Sequence, residues 1–504
     1  MTLTTLILFI IVALGYNVFV PVRWRGWALF IISLIALYWL QPALNIRWLD
    51  TIFPTLTLGL SVVGWWLTRV AGQAVSRGDR VALMLIVALI GLVGAARYLD
   101  LPFALTSRPP PLEYLLFLIA LCGGALAVVR WVGVGRALTA LLWVLIGLFI
   151  VLKTEPLATA VSGWLRGWVG QDVALASPLD LGWLGFSYLA FRLIHTVHDR
   201  QIGRLPEMDL RQYITFIIFF PALTAGPIDR AERFIKHDVL TAPAKPYPFL
   251  GAGLNHRNDI SSPSPSEAVG RGGGGGEVFT HIADGLTRIT IGVFKKFVIA
   301  DTLALISLSA TTAEQATSTA ALWLMLYAYA VRLFFDFSGY TDIAIGIGLL
   351  FGVRLPENFK HPYFKNTITA FWQSWHITLS DWVRFYVYMP LSRFLLKRRW
   401  SPNGVVATVT FATMVIIGLW HGVTVPFFIW GVWHGAGLFV HKLWSDKTRK
   451  AHRQLQAHPR RAQLWRWVGV FMTFHFVVIG WIWFALTDFS QALTVFFRLF
   501  GFEG

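Results

Sequence analysis

The sequence predicts an all-α, polytopic membrane protein. Of its 504 residues, 56% are hydrophobic and 14% are charged, whereas soluble proteins are about 25% charged. The mean hydropathy is +0.60. Several uncharged runs also approach about 20 residues, the length of a membrane-spanning helix. Five such runs cover residues 2–21, 81–96, 114–129, 137–152 and 405–420. We predict about ten to twelve transmembrane helices, with further re-entrant or interfacial helices.

Residues 1–180 form an N-terminal block of transmembrane helices, with six expected before residue 153. The run 2–21 lacks the basic segment and cleavage site of a secretory signal, so we expect it to be retained as a helix. Alternate loops carry seven arginines against three in the intervening loops. Because arginine and lysine concentrate in cytoplasmic loops, this bias predicts an extracytoplasmic N-terminus. The first set is Arg23, Arg25, Arg69, Arg77, Arg80, Arg130 and Arg136, and the second is Arg47, Arg97 and Arg108.

The second part of the chain divides by composition. Residues 181–239 are rich in aromatic side chains, and 278–443 combine apolar helices with polar segments. Between them, 240–277 contain SSPSPSEAVGRGGGGGE, a composition that cannot bury a core and predicts a flexible linker. The glycine run lacks the spacing of a phosphate-binding loop.

The C-terminal part consists of a basic loop, 444–464, which we expect to be cytoplasmic, and one or more helices within 465–504. Within the second half of the chain, the apolar pattern predicts individual helices around 319–337, 341–353, 405–421, 425–443 and 465–486.

The net charge of +17 would suggest a nucleic-acid partner in a soluble protein. In this apolar chain it is better explained by cytoplasmic loops near anionic lipid headgroups, so we expect membrane lipids and no nucleic acid. The single cysteine, Cys122, excludes an internal disulfide and a multi-cysteine metal site. No metal is therefore expected.

Two histidines stand out because polar residues at membrane depth are costly and often functional. His376 and His421 each follow a tryptophan, at a point where a polar segment meets a hydrophobic helix. A neutral imidazole can accept the proton of an attacking hydroxyl, and burial would keep the ring neutral. The alternative for His421 is a structural bond to a helix carbonyl. The alternative for His434 is a structural role, in which it packs one helical turn from Trp430.

Other catalytic arrangements have less support. His195 and His198 are one helical turn apart, but no HExxH glutamate lies between them. No GxSxG motif occurs. His376 and Asp381 show the His-x4-Asp spacing of soluble acyltransferases; the alternative is that Asp381 begins or solvates the helix after Ser380.

Seven segments together resemble the membrane-bound O-acyltransferase (MBOAT) family, in its bacterial branch of alginate O-acetylation and teichoic-acid D-alanylation proteins. The chain departs from that branch where Gln373 and Ser374 replace two arginines and where Phe385 replaces an aspartate. The segments are FFPALTAGPIDRAERF (219–234), GVFKKFVIADTLA (292–304), FFDFSGYTDIAIGIGLLFGV (334–353), PENFKHPY (356–363), FWQSWHITLSDWVRFYVYMPL (371–391), GLWHG (418–422) and WGVWHG (430–435).

The resemblance implies helices arranged around a central funnel or tunnel, with His421 and His376 as catalytic residues. His421 would be the general base, and His376 would orient the acyl carbonyl or stabilise its developing negative charge. The same motifs suggest further residues along the substrate path: Ser380, His434, Asp336, Tyr340, Arg384 and four tryptophans that would exclude water, Trp372, Trp375, Trp420 and Trp433.

The resemblance also implies transfer of an acetyl or D-alanyl group without a tightly bound cofactor. The donor would be a cytoplasmic thioester, carried by an acyl-carrier protein or coenzyme A. The acceptor would be a hydroxyl of an extracytoplasmic cell-envelope polymer or of a relay acyltransferase, at a bacterial plasma membrane. A proton- or solute-coupled transporter and a structural scaffold are the alternatives.

Overall fold

The computed structural model describes residues 2–70, 72–99, 106–107, 109–236 and 274–502. Of the predicted linker, 240–277, residues 240–273 lie outside the described residues, whereas 274–277 form the start of a helix. The described residues form 22 α-helices and no β-strand, apart from one isolated bridge between Phe359 and Trp375. This confirms the all-α class.

Six helices occupy the chain up to Lys153, as predicted. A shorter helix follows, in which Trp164 and Trp168 are exposed and stacked while Ala158 and Arg166 are buried. The seven helices are α1 (Leu3–Phe19), α2 (Arg25–Leu40), α3 (Leu49–Thr68), α4 (Arg77–Ala95), α5 (Leu112–Val132), α6 (Val134–Lys153) and α7 (Glu155–Trp168).

The remaining helices form the second part of the molecule. They are α8 (Phe186–Gln201), α9 (Leu210–Ile217), α10 (Ala231–Lys236), α11 (Gly274–Val293), α12 (Asp301–Ala304), α13 (Ala310–Gln315), α14 (Thr319–Leu350), α15 (Ile368–Trp372), α16 (Ile377–Val383), α17 (Met389–Lys397), α18 (Pro402–His421), α19 (Val425–Leu455), α20 (Pro459–Gly480), α21 (Ile482–Ala485) and α22 (Phe489–Arg498). A π-helical turn, Phe294–Ala300, joins α11 to α12, and another, Arg384–Tyr388, joins α16 to α17.

Within the described residues, seven helices are long and apolar enough to cross a membrane. The chain is therefore a multi-pass membrane protein. The helices α1 and α2, with 17 and 16 residues, are shorter than this set, so the total of ten to twelve spans remains a prediction. The seven are Leu49–Thr68, Arg77–Ala95, Leu112–Val129, Val134–Lys153, Thr319–Leu350, Pro402–His421 and Pro459–Ala485.

The helix α14 corrects the prediction of two helices around 319–337 and 341–353. It is one continuous helix of 32 residues, although Asp336 and Asp342 lie inside it. Each carboxylate is neutralised by cations from the α11 segment, because Asp336 pairs with Lys296 and Asp342 pairs with Lys295 (2.6 Å) and Arg288 (2.6 Å). Paired charges can remain within a helix bundle where unpaired ones would be too costly.

Glycines allow α11 and α14 to cross closely in antiparallel orientation. A Cβ atom on Gly292 would lie 2.6 Å from the carbonyl oxygen of Gly339, and one on Gly346 would lie 2.7 Å from that of Gly285. Larger side chains cannot fit at these positions, so the glycines set the distance over which the ion pairs form.

The helices α18 and α19 form a second tight antiparallel hairpin. A Cβ on Gly418 would lie 2.3 Å from the Phe427 carbonyl oxygen, and one on Gly431 would lie 2.6 Å from the Val415 Cα. The side chain of Thr424 caps α19 by accepting a hydrogen bond from the Phe427 N–H. The hairpin therefore holds the end of α18, and with it His421, against the first turn of α19.

Candidate functional site

His421 is the last residue of α18, where the chain turns toward α19. Its imidazole is surrounded by aromatic rings, with centroid distances of 4.4 Å to Trp420, 4.6 Å to Phe484, 5.9 Å to Phe427 and 6.0 Å to Trp430. The residue is only partly buried. The ring thus lies in an apolar cage and keeps some access from outside it.

His376 directly precedes α16 and has a left-handed backbone conformation, with φ 43° and ψ 54°. Such a conformation is uncommon for residues other than glycine. Both the backbone and the side chain of Asn358 stabilise this conformation. Its backbone oxygen accepts the Ile377 N–H (3.0 Å), and its Oδ1 accepts both the N–H (3.2 Å) and the hydroxyl (2.6 Å) of Thr378.

The His376 ring is buried, 4.7 Å from Phe337 and 6.2 Å from Trp420 between centroids. Burial lowers the pKa of His376, which lies outside the spanning helices, to about 3, which favours the neutral ring. Neither ring nitrogen has a hydrogen-bond partner among the described residues. A neutral imidazole has one N–H donor and one acceptor nitrogen, and both are available here.

Trp420 connects the two histidines. Its ring contacts both imidazoles, and His376 and His421 are close enough to interact electrostatically. The fold therefore brings together the two residues that the motifs singled out. The indole N–H of Trp420 is also buried without a partner in the described part of the chain.

His434 lies one turn from Trp430 on α19, at a ring distance of 4.7 Å, as the packing alternative predicted. It is fully buried, and Trp372 (5.3 Å) and Trp481 (6.1 Å) complete its surroundings. Because Trp430 also contacts His421, the aromatic cage continues from His421 to His434. Neither ring nitrogen of His434 has a described partner.

The polar residues suggested for the substrate path have partners elsewhere. Asp336 pairs with Lys296, and the Tyr340 hydroxyl is hydrogen-bonded to that of Thr224. Arg384 begins the π-helical turn after α16. No described side-chain contact joins these three residues to either catalytic candidate, so their role in substrate binding remains a prediction.

Two of the suggested tryptophans and the serine are also engaged in packing or hydrogen bonds. Trp375 stacks on Phe371 (5.6 Å), and its carbonyl accepts the Ser380 hydroxyl (3.3 Å). The Trp433 indole donates to the Phe476 carbonyl (2.9 Å). These groups support the walls of the site, and contact with substrate is untested.

The alternative arrangements find little geometric support. Asp381 is exposed on α16, and no described contact joins it to the His376 ring. His195 and His198 both approach the Asp199 carboxylate, at 3.5 and 3.6 Å. Within the described ranges, no three His, Cys, Asp or Glu residues are placed to hold a metal ion.

Three residues near the histidines were not identified from the sequence. Lys153 ends α6, and its carbonyl accepts the Val423 N–H (3.1 Å) just beyond His421. A signal for Asn358 was present, because it lies in the motif segment PENFKHPY, whereas Phe484 lies outside the seven segments. Lys153 had no such signal, since its helix resembles any other membrane helix.

This arrangement defines a polytopic membrane protein with a histidine pair enclosed by aromatic rings between its helices. The sequence model of the membrane-bound O-acyltransferase family matches residues 204–483, which include both histidines. The chain belongs to this family, which confirms the resemblance inferred from the motifs.

Individual relatives carry related names. The chain is 34% identical over 325 residues to a probable alginate O-acetylase AlgI of Pseudomonas syringae pv. tomato, covering 63% of this chain and 51% of the relative. It is 29% identical to a teichoic acid D-alanyltransferase of Bacillus subtilis, covering 60% and 68%. It is 33% identical to a peptidoglycan O-acetyltransferase of Helicobacter pylori, covering 58% and 47%. The matched region thus spans about half the length of the alginate relative.

Proposed function

We propose that this protein transfers a small acyl group, acetyl or D-alanyl, from a thioester to a hydroxyl acceptor. The observation that carries the proposal is the contact of His421 and His376 with the same indole, Trp420. One ring is partly accessible, and the other is buried and neutral with free nitrogens. Family membership and the names of the relatives support the same reaction.

In the proposed step, His421 accepts the proton of the acceptor hydroxyl while the oxygen attacks the thioester carbonyl carbon. The N–H of His376 donates to the carbonyl oxygen as it becomes negative, an oxyanion role. The intermediate then collapses, the C–S bond breaks, and the departing sulfur takes the proton from His421. The products are an ester and a free thiol, and His421 returns to its neutral form.

The orientation of the α18–α19 hairpin supports a site that the two substrates reach from opposite sides of the membrane. Near its open end, Lys442 approaches Asn403 (3.3 Å), and the basic segment that follows is expected in the cytoplasm. His421 lies at the opposite end, together with the end of α6. The acceptor, a cell-envelope polymer or a relay partner, would therefore arrive from the extracytoplasmic side of a bacterial plasma membrane. The donor, on a carrier protein or coenzyme A, would arrive from the cytoplasmic side.

The test uses purified protein in lipid nanodiscs with acetyl- and D-alanyl-phosphopantetheine thioesters and oligosaccharide or polyol acceptors. Thiol release and ester formation are measured together. We expect His421→Gln to reduce ester formation by about 10²–10⁴-fold, the range of general acid–base catalysis. A normal elution volume in size-exclusion chromatography and an unchanged Tm would show that the variant is folded.

Wild-type transfer rates in a folded His421→Gln variant would rule out the base assignment. If the wild-type protein forms no ester but moves protons or solutes across liposomes, the transporter alternative would replace the proposal. No observation in the structure favours that alternative, because the intramembrane carboxylates of Asp336 and Asp342 are already paired with cations.

A further inference from the structure

Lys153 lies at a junction beside His421. It ends the spanning helix α6, and the helix α7 begins at Glu155. The hydrogen bond from the Val423 N–H to the Lys153 carbonyl ties this junction to the turn that follows His421. The exposed Trp164 and Trp168 of α7 are typical of helices at a membrane–water interface.

The Lys153 ammonium group is a charge without a described partner. It is close enough to His421 to interact with it electrostatically, and the residue is partly buried. It forms no ion pair or side-chain hydrogen bond with the residues that the structure describes, including the exposed Glu155. The hydroxyl oxygen of the next residue, Thr154, is buried and equally unpartnered.

The surroundings of Lys153 differ from those of an ordinary lysine at the end of a helix. A basic residue in the last turn stabilises a helix through its macrodipole, and Lys397 does this at the end of α17. That role needs neither burial nor a neighbouring histidine. Buried charges are usually paired, so a half-buried, unpaired ammonium followed by a residue with a free hydroxyl is suited to bind an anion.

Building on the transfer reaction above, we propose that Lys153 and Thr154 bind an anionic group of the acceptor. A carboxylate or a phosphate would accept hydrogen bonds from the ammonium and the hydroxyl, and such charge-assisted bonds are short and strong. Binding there places a nearby acceptor hydroxyl at His421. The preferred acceptor is therefore an anionic polymer and not a neutral glycan.

The test measures binding separately from transfer. Three labelled probes of matched length are used: an oligouronate with carboxylates, a glycerol-phosphate oligomer with phosphates, and a neutral glucan. Their Kd values are measured for wild-type protein, Lys153→Gln and Lys153→Arg in nanodiscs. Lys397→Gln is the matched control, because it removes a lysine from another last helical turn.

We expect wild-type protein to bind one anionic probe at least about tenfold more tightly than the glucan, as one charged hydrogen bond allows. Lys153→Gln should abolish this preference, Lys153→Arg should keep much of it, and Lys397→Gln should leave it unchanged. In transfer assays Lys153→Gln should raise the acceptor KM more than it lowers kcat. The anionic probe that is preferred identifies the group as carboxylate or phosphate.

Equal binding of all three probes, or an anion preference that survives Lys153→Gln, would overturn this inference even if ester is formed. Conversely, an anion preference that depends on Lys153, without ester formation by wild-type protein, would support the anion site and contradict the proposed transfer reaction.

Discussion

At the residue scale, the position of His376 depends on a neighbouring side chain that takes no part in the proposed chemistry. Asn358 is fully buried and accepts three hydrogen bonds from the first two residues of α16. These bonds fix where α16 begins, and they therefore fix the direction in which the preceding imidazole points.

We predict that Asn358→Ala destabilises the protein by about 1–3 kcal/mol, because the Thr378 donors lose a buried acceptor. The misplaced His376 should lower kcat for acyl transfer more than it changes KM. Thermal unfolding and steady-state kinetics would measure the two effects. Asn403→Ala, at an exposed position of α18, is the control. An Asn358→Ala variant with unchanged kcat would show that these bonds do not position the ring.

Trp420 is predicted to keep water from the reacting thioester, because its ring contacts both histidines. Trp420→Ala should raise thioester hydrolysis severalfold relative to ester formation, since an opened site admits water. The ratio of released thiol to ester measures this. Trp131→Ala, at a position where the side chain is 91% exposed, should leave the ratio unchanged. The assignment fails if both variants give the wild-type ratio.

At the element scale, close helix crossings rather than helix propensity place the site. Gly418 and Gly431 belong to the two repeated motif segments, and both lie where α18 and α19 touch through their backbones. These two glycines therefore serve helix packing, and they hold His421 in place at the end of α18.

We expect Gly418→Ala and Gly431→Ala each to destabilise the protein by about 1–3 kcal/mol through overpacking, and to reduce transfer by moving His421. Gly147→Ala is the matched control, because a Cβ at Gly147 in α6 meets nothing within 4 Å. Tm and transfer rate would be measured for all three. A wild-type Tm for both hairpin variants would show that α18 and α19 can separate at no cost.

The apolar pattern predicted most helices correctly, but it misplaced a boundary in α14. The polar residues around Asp336 and Asp342 suggested a break, because an isolated carboxylate is unfavourable inside a membrane helix. The cations that neutralise them lie on α11 and on the π-helical turn that follows it, 40 to 54 residues earlier. Local sequence could not show this pairing, since it depends on how two helices cross.

At the scale of the whole molecule, the two parts of the chain meet at the site. The motif residues all belong to the second part, and the resemblance identified His376 and His421 as a pair before any geometry was known. Lys153 comes from the N-terminal block and reaches His421 only through the packing of α6 against the turn after α18. No motif marks Lys153, so its place beside His421 could not be predicted from the sequence.

The ion network of α11 and α14 is predicted to be essential for assembly. Asp342→Asn would leave Arg288 and Lys295 facing each other without their shared carboxylate. Breaking a buried pair in this way typically costs about 3–5 kcal/mol, so we expect low yield of monodisperse protein and a lower Tm. Size-exclusion chromatography and thermal unfolding would measure this. Asp301→Asn, at an exposed position of α12, should behave as wild type, and equal behaviour of both variants would contradict the prediction.

Because His376 has a left-handed backbone, a loss of rate in a variant at this position can have two causes. Alanine there removes the imidazole and also disfavours the backbone conformation, so the loss of rate contains two separate free energies. Asparagine tolerates a positive φ far better than alanine, and His376→Asn therefore isolates the contribution of the ring. His421 ends a regular helix, where alanine brings no such penalty. The two histidines thus need different substitutions before their effects on rate can be compared.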